Sequence, residues 1–212
     1  MKVKICCISS IEEAVLAIRN GATELGIVGP MPSGPGVISE QSMIEIVASV
    51  PKGINTFLLT SEVSSQKIIA QHAKVKSSVI QMVDKLTTGT YNEIRQAIPG
   101  IKLVQVVHVI DETSIDEAQM IANDLDYLLL DSGNPNKVVK ELGGTGRIHN
   151  WEISKHIVKS IRTPVFLAGG LNSSNVRRAI ETVNPYGVDL CSGVRQNGKL
   201  DKDKLTSFFD QI

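Results

Sequence analysis

Val3-Lys4-Ile5-Cys6-Cys7-Ile8, Ser10 through Asn20 and Glu24-Leu25-Gly26-Ile27-Val28 read in succession as strand, helix and strand. The two outer runs are mainly apolar, as strands covered on both faces are. Between them Ile11, Val15 and Ile18 recur at helical spacing. Ser10 stands at the cap of that helix, Glu13 at its capping-box position and Gly21 just past its end. The same unit recurs along the chain. Further strands are expected at Asn55–Leu59, Ser78–Met82, Lys102–Val109, Asp126–Asp131, Pro164–Ala168 and Val188–Ser192. Helical patterns are expected from Ser39 through Val47, Ser114 to Asn123, Trp151 to Ile161 and Asn172 to Thr182. Eight strands alternating with helices favour a closed parallel barrel over an open doubly wound sheet. The expectation is one (β/α)8 TIM barrel spanning 1–212, without a linker. Gly29 through Gly36 reads as a long rim loop and Leu86 to Thr90 as a shorter one.

Composition narrows the function. A formal net charge of +0 gives no bulk attraction to nucleic acid or to a membrane. Aromatics at 4% leave few platforms on which bases would stack. No signal-peptide pattern opens the chain, no apolar run is long enough to span a bilayer, and three cysteines fit a reduced, cytoplasmic protein. The partners expected are a small molecule and, at most, a second copy of the chain: monomer or homodimer. His72, His108, His149 and His156 lack metal-ligand spacing, so no metal is expected.

Cys6 and Asp131 end the first and sixth expected strands, so a barrel carries both to its carboxyl-end rim, where catalysis occurs in such folds. A thiolate takes a proton and a carboxylic acid gives one. Lys4, two residues before Cys6, projects to the same strand face and favours the thiolate. By the same alternation, Cys7 faces away from Cys6. Taken singly, each residue has a plainer role, a buried cysteine or a capping aspartate; their joint placement argues for a site. Three glycine segments follow the late strands: Gly143-Gly144-Thr145-Gly146, Ala168-Gly169-Gly170-Leu171-Asn172 and Cys191-Ser192-Gly193-Val194. Glycines let backbone N–H groups approach an anion, and the loops after strands seven and eight are the usual phosphate seat of these barrels.

These segments, with Lys4-Ile5-Cys6, Leu128-Leu129-Leu130-Asp131-Ser132 and Asn184-Pro185-Tyr186-Gly187-Val188-Asp189, resemble the phosphoribosylanthranilate isomerase family. The likeness covers nearly the whole chain, strongest from Asp126 onward and weak between Met31 and Ile101. It implies an Amadori rearrangement in tryptophan biosynthesis that uses neither metal nor organic cofactor. In the family, a carboxylic acid protonates the ribose ring oxygen, the ring opens to an iminium, and a cysteine thiolate removes the C2' proton. By position Asp131 matches the acid and Cys6 the base. Gly144, Gly169, Gly170, Ser192 and Gly193 match the phosphate seat.

The chain departs from the family at several points. Cys7 and Ser9 stand where the family has glycine and threonine. Gly36 stands where an arginine grips the anthranilate carboxylate, so restoring arginine there should lower KM. Gln81-Met82-Val83-Asp84 replaces a Gln-Leu-His-Gly segment, and a longer loop after Asp131 offers Lys137 and Lys140 as substitute cations. Two alternatives follow from these departures: a related barrel isomerising another phosphosugar, and a catalytically silent phosphoribosyl-ligand binding protein. Of the remaining side chains, His108 reads as a core or rim polar group and Trp151 as packing. Arg147 is a loop cation within reach of the glycines, and Arg177 and Arg178 are helix-surface charges.

Overall fold

Eight parallel strands close on themselves in sequence order in the computed structural model, which describes residues 1–212. They are β1 (Lys2–Ile5), β2 (Glu24–Val28), β3 (Asn55–Thr60), β4 (Val79–Met82), β5 (Lys102–His108), β6 (Tyr127–Asp131), β7 (Val165–Leu167) and β8 (Gly187–Leu190). The ring is sealed by β1 against β8, with Lys2 opposite Gly187 and Ile5 opposite Leu190. Around it run α1 (Ile11–Arg19), α2 (Glu40–Ser49), α3 (Ser65–Val75), α4 (Tyr91–Ala97), α5 (Thr113–Ile121), α6 (Trp151–Ser160), α7 (Val176–Val183) and α8 (Lys202–Phe209). A short hairpin of β9 (Arg195–Gln196) and β10 (Lys199–Leu200) precedes α8.

Strand alternation sorts the apolar side chains into two layers. Ile5, Leu25, Ile27, Leu58, Leu103, Val107, Leu128 and Leu130 face outward and pack under the helices. Phe57, Leu59, Val104, Val106, Leu129 and Phe166 face inward and fill the barrel. Below the rim, Phe166 meets Phe57 and Tyr127 edge-on, at 5.9 and 5.6 Å between ring centres. The interior is thus packed at its lower end and offers space only above.

Local signals act as read at α1. Ser10 Oγ accepts the Glu13 N–H, and Glu13 reaches back to the Ser9 N–H. Gly21 follows at φ +113, the left-handed conformation that ends helices. Two boundaries differ most from expectation; the others shift by at most two residues. The first strand stops at Ile5 rather than Ile8, because Cys7 sits at φ +62 and turns the chain out of the ladder. The seventh helix starts at Val176 rather than Asn172, because the Asn172 side chain accepts the Ser174 N–H and holds a turn there. Helices α3, α4 and α8 and the β9–β10 hairpin carry no strong sequence signal and emerge only in the structure.

Candidate active site

Cys6 and Asp131 line one cavity at the carboxyl ends of the strands, with a volume of about 680 Å³ counting its open mouth. Cys6 is anchored by its N–H, which donates to Leu190 O at 2.7 Å. The period of two that turns Ile5 outward turns Lys4 and Cys6 inward, to the same small space. A Cβ on Gly26 of β2 would lie 2.9 Å from Cys6 Sγ and 3.0 Å from Lys4 Nζ, so only glycine leaves room for both. Lys4 is fully buried, and its Nζ is 2.9 Å from Asp189 Oδ1 on β8. Burial alone would lower the Lys4 ammonium, but Asp189, with Cys6 and Cys7, raises it above the ordinary lysine value. Burial pushes Asp189 the other way, toward its neutral form. The short contact decides for the ion pair, so a cation stands beneath the thiol at neutral pH.

The Cys6 thiol is held below the ordinary cysteine value. Hydrogen bonding with the Cys7 thiol is the largest cause; the Lys4 charge assists, while burial and Asp189 oppose. Cys7 therefore does not face away from Cys6. Its left-handed backbone breaks the alternation and brings its side chain to the same cavity, where Sγ lies 2.7 Å from Cys191 Sγ and 3.7 Å from Pro35 O. The turn is held by a buried arginine that the sequence did not flag. Arg195 Nη2 donates to the carbonyls of both Cys6 and Cys7, and Arg195 Nη1 pairs with Glu13 Oε1 at 3.0 Å. The two halves of that pair lie 182 residues apart, so no local pattern announces them.

Asp131 ends β6, is 8% exposed, and accepts the Ser132 N–H at 2.7 Å through Oδ1. Its Oδ2 looks toward Gly143, where a Cβ would come within 2.9 Å. Ser132 Oγ and Thr145 Oγ1 share a hydrogen bond of 2.7 Å, which ties the glycine loop to the strand bearing Asp131.

Gly144, Gly169, Gly170 and Ser192 lie along the same cavity wall. Gly169 and Gly170 adopt φ +83 and +64, and a Cβ on Gly170 would fall 2.8 Å from Gly146 O. Bare backbone is what this packing admits. The N–H groups of Gly144, Gly169 and Gly170 donate to no atom of the chain. Gly193 stands behind the wall, pressed on the Leu171 carbonyl. His149 borders the seat: its Nε2 is 2.7 Å from Ser154 Oγ, and its Nδ1 is unpartnered where a Cβ on Gly169 would come within 2.9 Å. Burial pushes His149 down to about 4, so the ring is neutral near pH 7.

The aromatic side of the site departs most from expectation. No Lys or Arg lines the cavity. Lys137 pairs with Glu141 at 2.6 Å, Lys140 with Asp84 and Arg147 with Glu141, so none stands as a substitute cation. Gly36 lies at φ +85, and a Cβ there would sit 2.6 Å from Cys7 Cβ. An arginine at 36 therefore collides with Cys7, contrary to the simple expectation that restoring it would improve binding. His108 does not line the cavity; its Nε2 donates to Val83 O at 3.0 Å. Gln81 does line it, with Oε1 buried and unpaired. Across the mouth the β2–α2 and β6–α6 loops meet. Ser33 Oγ donates to Lys140 O, and a Cβ on Gly144 would lie 2.5 Å from Pro35.

Comparison with known proteins agrees with the barrel fold. The family model for N-(5'-phosphoribosyl)anthranilate (PRA) isomerase matches residues 3–211. N-(5'-phosphoribosyl)anthranilate isomerase 2 of Methanosarcina mazei is 33% identical over 98% of this chain and 92% of its own. The crystal structure of phosphoribosyl anthranilate isomerase from Thermotoga maritima is 27% identical and superposes with a TM-score of 0.82, covering 100% of this chain and 98% of that one. A crystal structure of a phosphoribosyl anthranilate isomerase in complex with reduced 1-(o-carboxyphenylamino)-1-deoxyribulose 5-phosphate is 25% identical. It gives a TM-score of 0.78 over 100% of this chain and 97% of its own. Since the match runs through every strand of the barrel, the chain belongs to the N-(5'-phosphoribosyl)anthranilate isomerase family.

Proposed function

We propose that this chain isomerises N-(5'-phosphoribosyl)anthranilate to 1-(2-carboxyphenylamino)-1-deoxyribulose 5-phosphate. The observation that carries the reading is the opposition of Cys6 and Asp131 across one cavity, beside backbone N–H groups that no atom of the chain uses. The phosphate end of the substrate sits against Gly144, Gly169, Gly170 and Ser192, held by backbone donors. Asp131 is the proton donor to the ribose ring oxygen as the C1'–O bond breaks. Nitrogen's lone pair makes the iminium. The Cys6 thiolate, favoured by the Cys7 thiol and the Lys4 charge, removes the C2' proton. The resulting enamine tautomerises to the ketone, so no atom is gained or lost, and solvent returns the proton to Asp131 and takes that of Cys6. The anthranilate carboxylate meets no cation on the cavity wall. A lost charge-assisted contact weakens binding by about 1.5–3 kcal/mol, so KM should be about ten- to a hundredfold above that of an arginine-bearing relative.

The test is turnover of freshly made phosphoribosylanthranilate by the wild type, Cys6→Ser and Asp131→Asn. Each substitution should lower kcat by about a hundredfold or more, because it removes the base or the proton donor. Equal rates in all three proteins would refute the assignment of roles. No turnover by the wild type, with binding of ribose 5-phosphate retained, would favour a relative acting on a different phosphosugar. The missing cation is the observation that keeps that second reading in view.

A further inference from the structure

Cys7 and Cys191 bring two thiols into direct contact at the mouth of the cavity, their Sγ atoms 2.7 Å apart. They come from neighbouring strand ends: β1 and β8 pair up to Ile5 and Leu190, the chain turns at Cys7, and Cys191 leads into the short turn Ser192–Val194. Neither thiol is bonded, Cys7 is buried and Cys191 is half-exposed, and both line the cavity. A reagent entering the mouth thus meets Cys191 first, with Cys7 directly behind it.

We propose that Cys7 and Cys191 form a reversible dithiol–disulfide pair, oxidised by low-molecular-weight disulfides, that switches the Cys6 site off. The Cys191 thiolate attacks one sulfur of the reagent disulfide; a mixed disulfide forms and one thiolate departs. The Cys7 sulfur then attacks the Cys191 sulfur of that mixed disulfide, the protein disulfide forms and the second thiolate departs. The protein loses two hydrogens and two electrons, and the reagent disulfide becomes two thiols. The link takes the Cys7 sulfur into a covalent bond with the end of β8 and so fixes the left-handed turn directly after Cys6, on the same cavity. The link also tethers the turn after β1 to the residue preceding Ser192 in the phosphate wall. Formation of the link is independent of the substrate; its effect on turnover rests on the isomerase reading.

The experiment incubates the reduced full-length protein with oxidised glutathione and maps the disulfides by mass spectrometry of a non-reduced digest. The expected result is a peptide pair joined through Cys7 and Cys191, cleaved again by dithiothreitol and absent from Cys191→Ser and Cys7→Ser. Turnover at pH 7 should fall about ten- to a hundredfold in the linked protein, the loss expected when a catalytic group is misplaced by up to about 1 Å. A glutathione adduct on Cys6 as the main product, or no link at all, overturns the proposal. So does a complete link with undiminished turnover. A reduced protein that shows no turnover refutes the isomerase reading instead, and the peptide map still decides the pair.

Discussion

At the scale of single residues, Cys6 is a thiol placed over a buried cation. Lys4 is fully buried, and the cost of that is offset by Asp189 at 2.9 Å. Removing Lys4 alone would leave a buried carboxylate without its partner, a loss of about 3 kcal/mol. The informative variant is therefore Lys4→Met with Asp189→Asn, which removes both charges and should cost far less stability. In that double variant Cys6 loses the Lys4 charge that favours its thiolate. The thiolate then forms at higher pH. The acid limb of the kcat/KM profile should move upward, with turnover lost most at mildly acid pH and least at alkaline pH. Because Asp189, which opposes the thiolate more weakly, is neutralised too, an acid limb that stays in place would show that the Lys4–Asp189 pair exerts no net pull on the Cys6 thiol.

At the scale of elements, the turn after β1 and the loop after β2 share one space. Cys7, at φ +62, fills the volume over Gly36, and Gly36, at φ +85, has no Cβ to contest it. The two departures noted in the sequence, cysteine at 7 and glycine at 36, thus fit one another in space. Gly36→Arg alone should fail to lower KM and should destabilise the protein by about 1–2 kcal/mol, the cost of a left-handed side-chain-bearing residue. Adding Cys7→Gly removes the two nearest atoms of the clash, leaving Cα at 3.1 Å, and frees the left-handed turn of its own strain. The double variant should then show a lower KM for phosphoribosylanthranilate than Gly36→Arg does. Steady-state kinetics on the three variants checks this, and equal KM values in the single and double variants would reject the reciprocal fit.

At the scale of the whole molecule, acid stability tracks His149. Its ring is buried beside the glycine seat and titrates at about 4 in the fold, against about 6.5 for an unperturbed histidine. The unfolded chain therefore binds the proton first. Above the unfolded value His149 has no effect on the balance; as pH falls from there toward about 4, stability drains by up to about 3 kcal/mol. Thermal melts from neutral to acid pH should show this slope, and His149→Gln should flatten it. A slope unchanged in that variant would place the acid-sensitive group elsewhere.

How much of this was legible beforehand follows from the range of the interactions. Repeating apolar strands, the Ser10 cap, Gly21 past the helix end and the glycine segments are local signals, each acting within a few residues. They sufficed for eight strands, a parallel barrel and a rim carrying Cys6 and Asp131, because strand and helix periodicity depend on the backbone alone. The closeness of Lys4 to Cys6 also follows from a period of two. The rest waited for barrel closure. Arg195 reaches back across 182 residues to Glu13 and to the carbonyls of Cys6 and Cys7, where Cys7 turns inward against the strand rule. The same closure puts Cys191 beside Cys7 and spends Lys137, Lys140 and Arg147 on carboxylates. Side-chain partners at such separations are chosen by where the sealed ring of strands leaves space and charge, and that is a property of the folded molecule.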